Sequence, residues 1–241
     1  MSVPWLYLAQ LPSTAPSTCR VHADEARHAT GSRRLRAGDA IWLFNGCGVI
    51  ARAQISATHH DGSLDASIES VCASPREFPD IEIASAIPKG DRLTTLLESI
   101  APLAASRWTP LLCTHSVVTW SHANALRAGR VLIAACKQSQ QPWLPVVSAE
   151  ASPIQVARDA VARGRMVIIA SPSGAPLATC IEGAQALTLL IGPEGGFTTT
   201  EVEAVESLGG RCASLGGAIL RIELAVAYSL ATARSVSQSR E

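Results

Sequence analysis

The sequence predicts an α/β protein in two parts: a small all-β barrel over residues 1–76, then an α/β domain with parallel strands over residues 77–241. Three observations predict it. Before the boundary, short runs of branched and aromatic residues are separated by Gly and Asn turns, as in small barrels. After it, apolar strands alternate with helical patterns, the rhythm of a parallel sheet. Near the C-terminus, strand, glycine-rich loop and helix succeed one another twice.

Residues 5–8 read as an edge strand. Residues 40–44 form a strong strand rich in aromatic and branched side chains. Asn45-Gly46 signals a hairpin, because both residues tolerate positive φ. Residues 49–55 are the return strand, and residues 64–71 another. Residues 74–79 carry two prolines and read as a linker. Residues 81–87 are a strand ending in the Pro88-Lys89-Gly90-Asp91 turn. Residues 92–105 are helical, with Pro102 breaking or kinking them. A strand at 108–113, helices at 121–137 and 153–163, and buried strands at 166–170 and 186–191 follow. Thr198-Thr199-Thr200-Glu201 fits a capping box at a helix start. Gly209-Gly210 stops that helix. The last helix, from 222 to about 235, is apolar on most sides, which suits a core or dimer-interface helix.

The seven cysteines are scattered and odd in number, with no CxxC spacing, which argues against a disulfide framework or a structural zinc site. Most suit small buried positions. His59-His60, beside Asp61-Gly62, reads as a loop tip, and no metal site is expected. The net charge is zero, so nothing global marks a nucleic-acid binder. Arginines do outnumber acids over the first fifty or so residues; that patch suits phosphate contacts or an ordinary solvated face. No apolar run approaches the ~20 residues of a membrane span. The N-terminus lacks signal-peptide character, so a cytoplasmic location is expected.

The strongest chemical signal is Ile191-Gly192-Pro193-Glu194-Gly195-Gly196-Phe197, where an apolar strand breaks into a glycine loop ahead of a helix. Such loops, at the carboxyl ends of strands, are where α/β proteins bind small molecules. Leu215-Gly216-Gly217-Ala218-Ile219-Leu220-Arg221-Ile222-Glu223-Leu224-Ala225 repeats the arrangement. Together the two segments resemble the ribosomal RNA small subunit methyltransferase E family, of the knotted SPOUT class. His28, Arg33 to Asp39 and Leu43-Phe44-Asn45-Gly46 resemble that family's PUA-like RNA-binding barrel. Ala86 to Arg92 and Ala134 to Gln138 match further landmarks.

The resemblance implies a trefoil-knotted parallel sheet with helices on both faces, and a homodimer. It also implies S-adenosyl-L-methionine as cofactor and methylation of N3 of a uridine in 16S ribosomal RNA. Ser171, Ile191, Gly192, Glu194, Gly195, Gly196, Leu215, Gly216, Ile219 and Leu220 would form the cofactor pocket. Arg221 and Glu223 would be catalytic, Arg221 by orienting RNA or stabilising charge on the uracil; a salt bridge between the two is the structural alternative. Arg33, Arg34, Arg36, Lys89 and Arg92 would contact RNA. N3 lies on the Watson–Crick edge, so the base must be unpaired or flipped out.

The chain departs from the family at polar positions. Ser99 and Pro102 disturb the helix after Lys89-Gly90-Asp91-Arg92. Lys137-Gln138-Ser139-Gln140-Gln141 lacks the usual acid and arginine. Ala218, Ile222 and Leu224 replace an arginine and two hydroxyl residues. Three readings follow: a divergent active enzyme, a catalytically weakened RNA- or ribosome-binding protein, and a SPOUT methyltransferase for another RNA.

Overall fold

The computed structural model describes residues 3–27 and 35–238, with side chains to residue 236. His28, Arg33 and Arg34 lie outside the described residues. The chain divides into two units: residues 1–76 with 136–144, and residues 77–135 with 145–241.

The first unit is a five-stranded sheet in the order β1-β3-β4-β5-β2. Its strands are β1 (Trp5–Tyr7), β2 (Ser17–Val21), β3 (Ala40–Phe44), β4 (Val49–Thr58) and β5 (Leu64–Ala73). β1 runs parallel to β3, and the other pairs are antiparallel. Alternate residues point inward, so Ile41, Leu43, Ala51, Ala53, Ala66 and Ile68 share one dry core. β2 and the short helix α1 (Ala23–Arg27) were not expected. β2 is polar at most positions and buries only Val21 fully, so its hydrophobic pattern is faint. The Asn45-Gly46 turn is longer than a two-residue hairpin. The Asn45 side chain accepts from the amides of Cys47 and Val49 at 2.8 and 3.0 Å, the local bonding that suits Asn to turns.

Residues 136–144, after the main part of α3 (His122–Ser139), also belong to this unit, which a single cut near residue 76 does not anticipate. Their backbone bonds Gly46 and Gly48, and Lys137 Nζ meets Glu25 Oε1 at 2.7 Å. The Trp143 indole donates to the carbonyls of Ser74 and Pro75, and Arg76 stacks over its ring at 3.9 Å. Gly48 has φ +85°, and a Cβ there would sit 2.2 Å from the Trp143 ring. Gly48→Ala therefore combines a left-handed backbone with overpacking against an anchored ring. It is expected to destabilise this unit by roughly 2–4 kcal/mol, read as a lower midpoint in tryptophan-monitored unfolding.

The second unit is a six-stranded sheet in the order β11-β9-β10-β6-β7-β8. Every pair is parallel. The strands are β6 (Asp80–Ala86), β7 (Arg107–Leu111), β8 (Val146–Val147), β9 (Met166–Pro176), β10 (Ala186–Ile191) and β11 (Arg211–Ser214). β6 and β10 are buried almost continuously, as strands covered on both faces must be. On one face α4 (Pro153–Ala162) and α6 (Thr199–Ser207) pack over Ala84, Val167, Ile169 and Leu190. α7 (Ile222–Gln238) packs on β6 and β10, with α2 (Arg92–Ile100) and α5 (Leu177–Cys180) against it.

Pro102 acts as expected: α2 ends at Ile100, and Ala104 takes a φ of +54°. Buried Arg234 of α7 then donates to the carbonyls of Leu103, Ala104 and Pro79 at 2.6–3.2 Å. One guanidinium thus satisfies two carbonyls of the turn after α2 and the Pro79 carbonyl ahead of β6. The capping box of α6 is complete, with Thr198 and Glu201 bonding each other's backbone amides.

Candidate active site

The loops after β10 and β11, with the middle of β9, enclose a cavity of about 340 Å³. The volume lies in the range of small-ligand sites. All the residues expected to form a cofactor pocket line it. Ser171 comes from β9. Ile191, Gly192, Glu194, Gly195 and Gly196 come from the end of β10 and its loop. Leu215, Gly216, Ile219 and Leu220 come from the loop after β11. Pro172, Phe197 and Ala225 join them. The apolar slot is less closed than expected: Ile219 is 97% exposed, while Leu215 and Leu220 are half-buried.

The glycines divide by cause. A Cβ on Gly192 would press on the Phe197 ring at 3.1 Å, and one on Gly195 would meet His115 at 3.3 Å. Those two let the protein close on itself. Gly196 and Gly216 have φ of +73° and +112°, and with Gly217 they face space free of protein atoms within 4 Å. Those three leave backbone bare toward a ligand.

The β10 loop is fixed on two sides. Glu194 accepts from Arg92 Nη1 at 3.0 Å, so Arg92 is engaged in an ion pair as well as being a residue expected to meet RNA. Glu201 accepts from the amides and hydroxyls of both Thr198 and Thr114 at 2.8–3.1 Å. Burial opposes ionisation of Glu201, but those donors outweigh it and hold the pKa below the ordinary value. The segment after β7 is thereby clamped to the start of α6.

Within that segment His115 lies over Gly195, with Nδ1 3.1 Å from the Gly196 carbonyl oxygen. Sequence reasoning passed over this residue, because no motif or pairing marks a lone histidine after β7. The neighbouring Cys113 thiol is pushed up to about 12, chiefly by burial and then by the Glu201 charge. It is therefore no thiolate nucleophile.

Arg221 is exposed beside the cavity residue Leu220, and among the described residues its guanidinium has no protein partner. Glu223, in the first turn of α7, is 7% exposed, and its Oε2 has no partner among the described residues. The alternative salt bridge between them is not formed. Lys89 and Arg36 are exposed. In the first unit Arg20, Arg27 and Arg52 pair with Asp65, Asp24 and Glu69. His59 Nε2 bonds Asp65 at 2.8 Å. Of the cysteines only Cys113 and Cys136 are buried, fewer than expected.

A second depression, of about 420 Å³, lies beside Glu82, Arg107, Thr109 and Arg163. Its charged side chains are largely engaged with one another, so the smaller glycine-lined cavity is the better site. Among the described residues no helix is long and apolar enough to cross a membrane.

The RNA methyltransferase domain family matches residues 76–234, and the RNA methyltransferase PUA domain family matches residues 22–69. A ribosomal RNA small subunit methyltransferase E of Mycobacterium tuberculosis is 29% identical over 93% of this chain and 88% of its own. One from Synechocystis is 29% identical over 86% of this chain and 69% of its own. The crystal structure of a ribosomal RNA small subunit methyltransferase E from Neisseria gonorrhoeae, bound to S-adenosyl methionine, superposes with a TM-score of 0.89. It is 23% identical and covers 98% of both chains.

Proposed function

Given that this chain belongs to the RNA methyltransferase domain family, we propose that it uses S-adenosyl-L-methionine to methylate N3 of a uridine in 16S ribosomal RNA. The observation that carries the reading is the cavity at the ends of β10 and β11 beside the middle of β9, where three glycines leave backbone open beside apolar walls. Bare amides and carbonyls suit the hydrogen-bonding edge of an adenine, and Ile191, Leu215 and Leu220 suit its faces. Ser171 and Glu194 supply polar groups for the rest of the molecule. The cofactor, when bound, supplies an electrophilic methyl group on a sulfonium.

The chain's task is then positioning and charge control. Arg221 stands beside the cavity with its guanidinium unengaged, suited to negative charge on a uracil. Glu223, next to it in the first turn of α7, keeps a buried Oε2 without a partner among the described residues and adds negative charge near Arg221. Arg33, Arg34 and Arg36 in the PUA domain, with Lys89 and Arg92, are the proposed RNA contacts. A trefoil crossing and a homodimer are part of the same proposal; exposed Leu224 and Tyr228 on α7 support a second copy docking there. A cytoplasmic location agrees with a ribosomal substrate.

Calorimetry with S-adenosyl-L-methionine and nucleoside mass spectrometry of 16S RNA from cells with and without the gene test the proposal. Saturable binding and loss of N3-methyluridine in the deletion are expected. Unchanged modification, with binding intact, would overturn the methylation and leave an RNA-binding role. A different methylated RNA would move the substrate.

A further inference from the structure

Methyl transfer to uridine N3 must dispose of a proton, and the groups around the β10 loop differ sharply in whether they can take it. The Cys113 thiol is buried. Glu201 already accepts from four donors, and Glu194 is paired with Arg92. Glu223 is buried in the first turn of α7. His115 is exposed and rests on Gly195, itself a wall of the cavity.

The hydrogen bond of His115 decides which of its nitrogens is available. A carbonyl oxygen only accepts, so the 3.1 Å contact with Gly196 requires a proton on Nδ1. In the neutral ring Nε2 then carries a free lone pair, and no protein donor meets it among the described residues. The Thr114–Glu201 bonds fix the backbone from which the ring projects. A tautomer set by one partner, with the opposite nitrogen open, is how histidines are prepared for general base catalysis.

Resting on the methyltransferase reading above, we infer that His115 is a catalytic residue, the base that removes the N3 proton of the target uridine. The N3–H bond breaks and its proton passes to Nε2. The N3 electron pair forms the bond to the methyl carbon, and the carbon–sulfur pair leaves on sulfur as a neutral thioether. The imidazolium keeps its Nδ1–H bond to Gly196 throughout and gives its extra proton to water after release. Nothing else in the chain changes oxidation or protonation state.

The test uses the full chain and small ribosomal subunits from the deletion strain. His115→Gln retains a donor for the Gly196 carbonyl but has no base. It is expected to bind S-adenosyl-L-methionine as the wild type does, while single-turnover methylation falls roughly 100-fold or more. His115→Ala is expected to fall similarly and to regain rate in proportion to added imidazole. Long-range proton–nitrogen NMR of the cofactor-free protein is expected to show His115 protonated on Nδ1. Wild-type protein that methylates no uridine N3 would sink the underlying reading. Normal rates in His115→Gln, or an Nε2-protonated tautomer, would sink the role of His115 alone. Loss of cofactor binding in both variants, with no rescue by imidazole, would show that the residue only supports the loop.

Discussion

Replacing Glu82 with alanine is expected to remove about 3 kcal/mol from the stability of the α/β unit, at the lower end of the cost of breaking a buried ion pair. Glu82 is 8% exposed. It accepts a bidentate pair from Arg163 at 2.6 and 2.7 Å, and further contacts from Arg107 and Arg165 at 3.2 and 3.4 Å. The guanidiniums left behind set the size of the loss. Arg163 is 46% exposed, so water can compensate it. Arg165 is 6% exposed but keeps Asp80 and the Leu187 carbonyl. No remaining charge is stranded completely, so the larger penalties do not apply.

Acidity supplies an independent check. Burial alone would raise the Glu82 pKa, but hydrogen bonds from Arg163 and the three arginine charges outweigh it and leave the pKa lowered. A depressed folded-state pKa gives stability that is present above the unfolded carboxylate value. That stability is lost as pH falls through the folded value. Urea midpoints of wild type and Glu82→Ala should therefore differ at neutral pH and converge as pH falls below the ordinary carboxylate range and through the depressed folded value. A constant gap down to low pH would show that lost packing, not charge, sets the cost.

Much of this fold could be read from local pattern because local physics dictates it. The capping box at Thr198 and Glu201, the stop at Gly209, and the break at Pro102 each depend on residues a few positions apart. The glycine loops were legible for the same reason, and their residues line one cavity. What escaped the sequence depends on distant partners. β2 forms because β5 offers an edge, despite its polar side chains. Trp143 joins the first unit because Gly48 leaves room for its ring. His115 becomes notable only because Gly196, far along the chain, presents a carbonyl to it.

The departures from the family pattern also acquire causes. Pro102 ends α2, and Arg234 bonds the carbonyls of Leu103 and Ala104 in the turn that follows. Lys137 occupies a position where the family has an acid, and it is matched by Glu25 within the same unit. Ser99 bonds the Leu96 carbonyl at 2.7 Å within its own helix. These replacements have structural partners, so none requires a lost activity. Ile222 is buried, so exchanging a hydroxyl residue there favours packing; Leu224 is 54% exposed, and nothing in the structure explains its exchange. That leaves Arg221 as the cation of its segment.

Arg221→Ala is accordingly expected to reduce single-turnover methylation about 10²–10³-fold, the usual cost of removing one donor aimed at developing charge. Cofactor affinity should hardly change. Arg221 is exposed and its guanidinium makes no hydrogen bond or ion pair among the described residues, so its removal strands no acid. Stability should stay within about 0.5 kcal/mol of wild type, as for other surface changes. Arg221→Lys keeps the charge but loses the planar fork, and should recover only part of the rate. RNA affinity decides between two ways of acting. If Arg221 only held RNA, saturating substrate would restore full turnover, because that loss lies in ground-state binding. If it stabilises negative charge as the N3 proton leaves, the defect persists at saturation. Wild-type rates for Arg221→Ala at both limiting and saturating RNA would overturn both and move the stabilising charge to another residue.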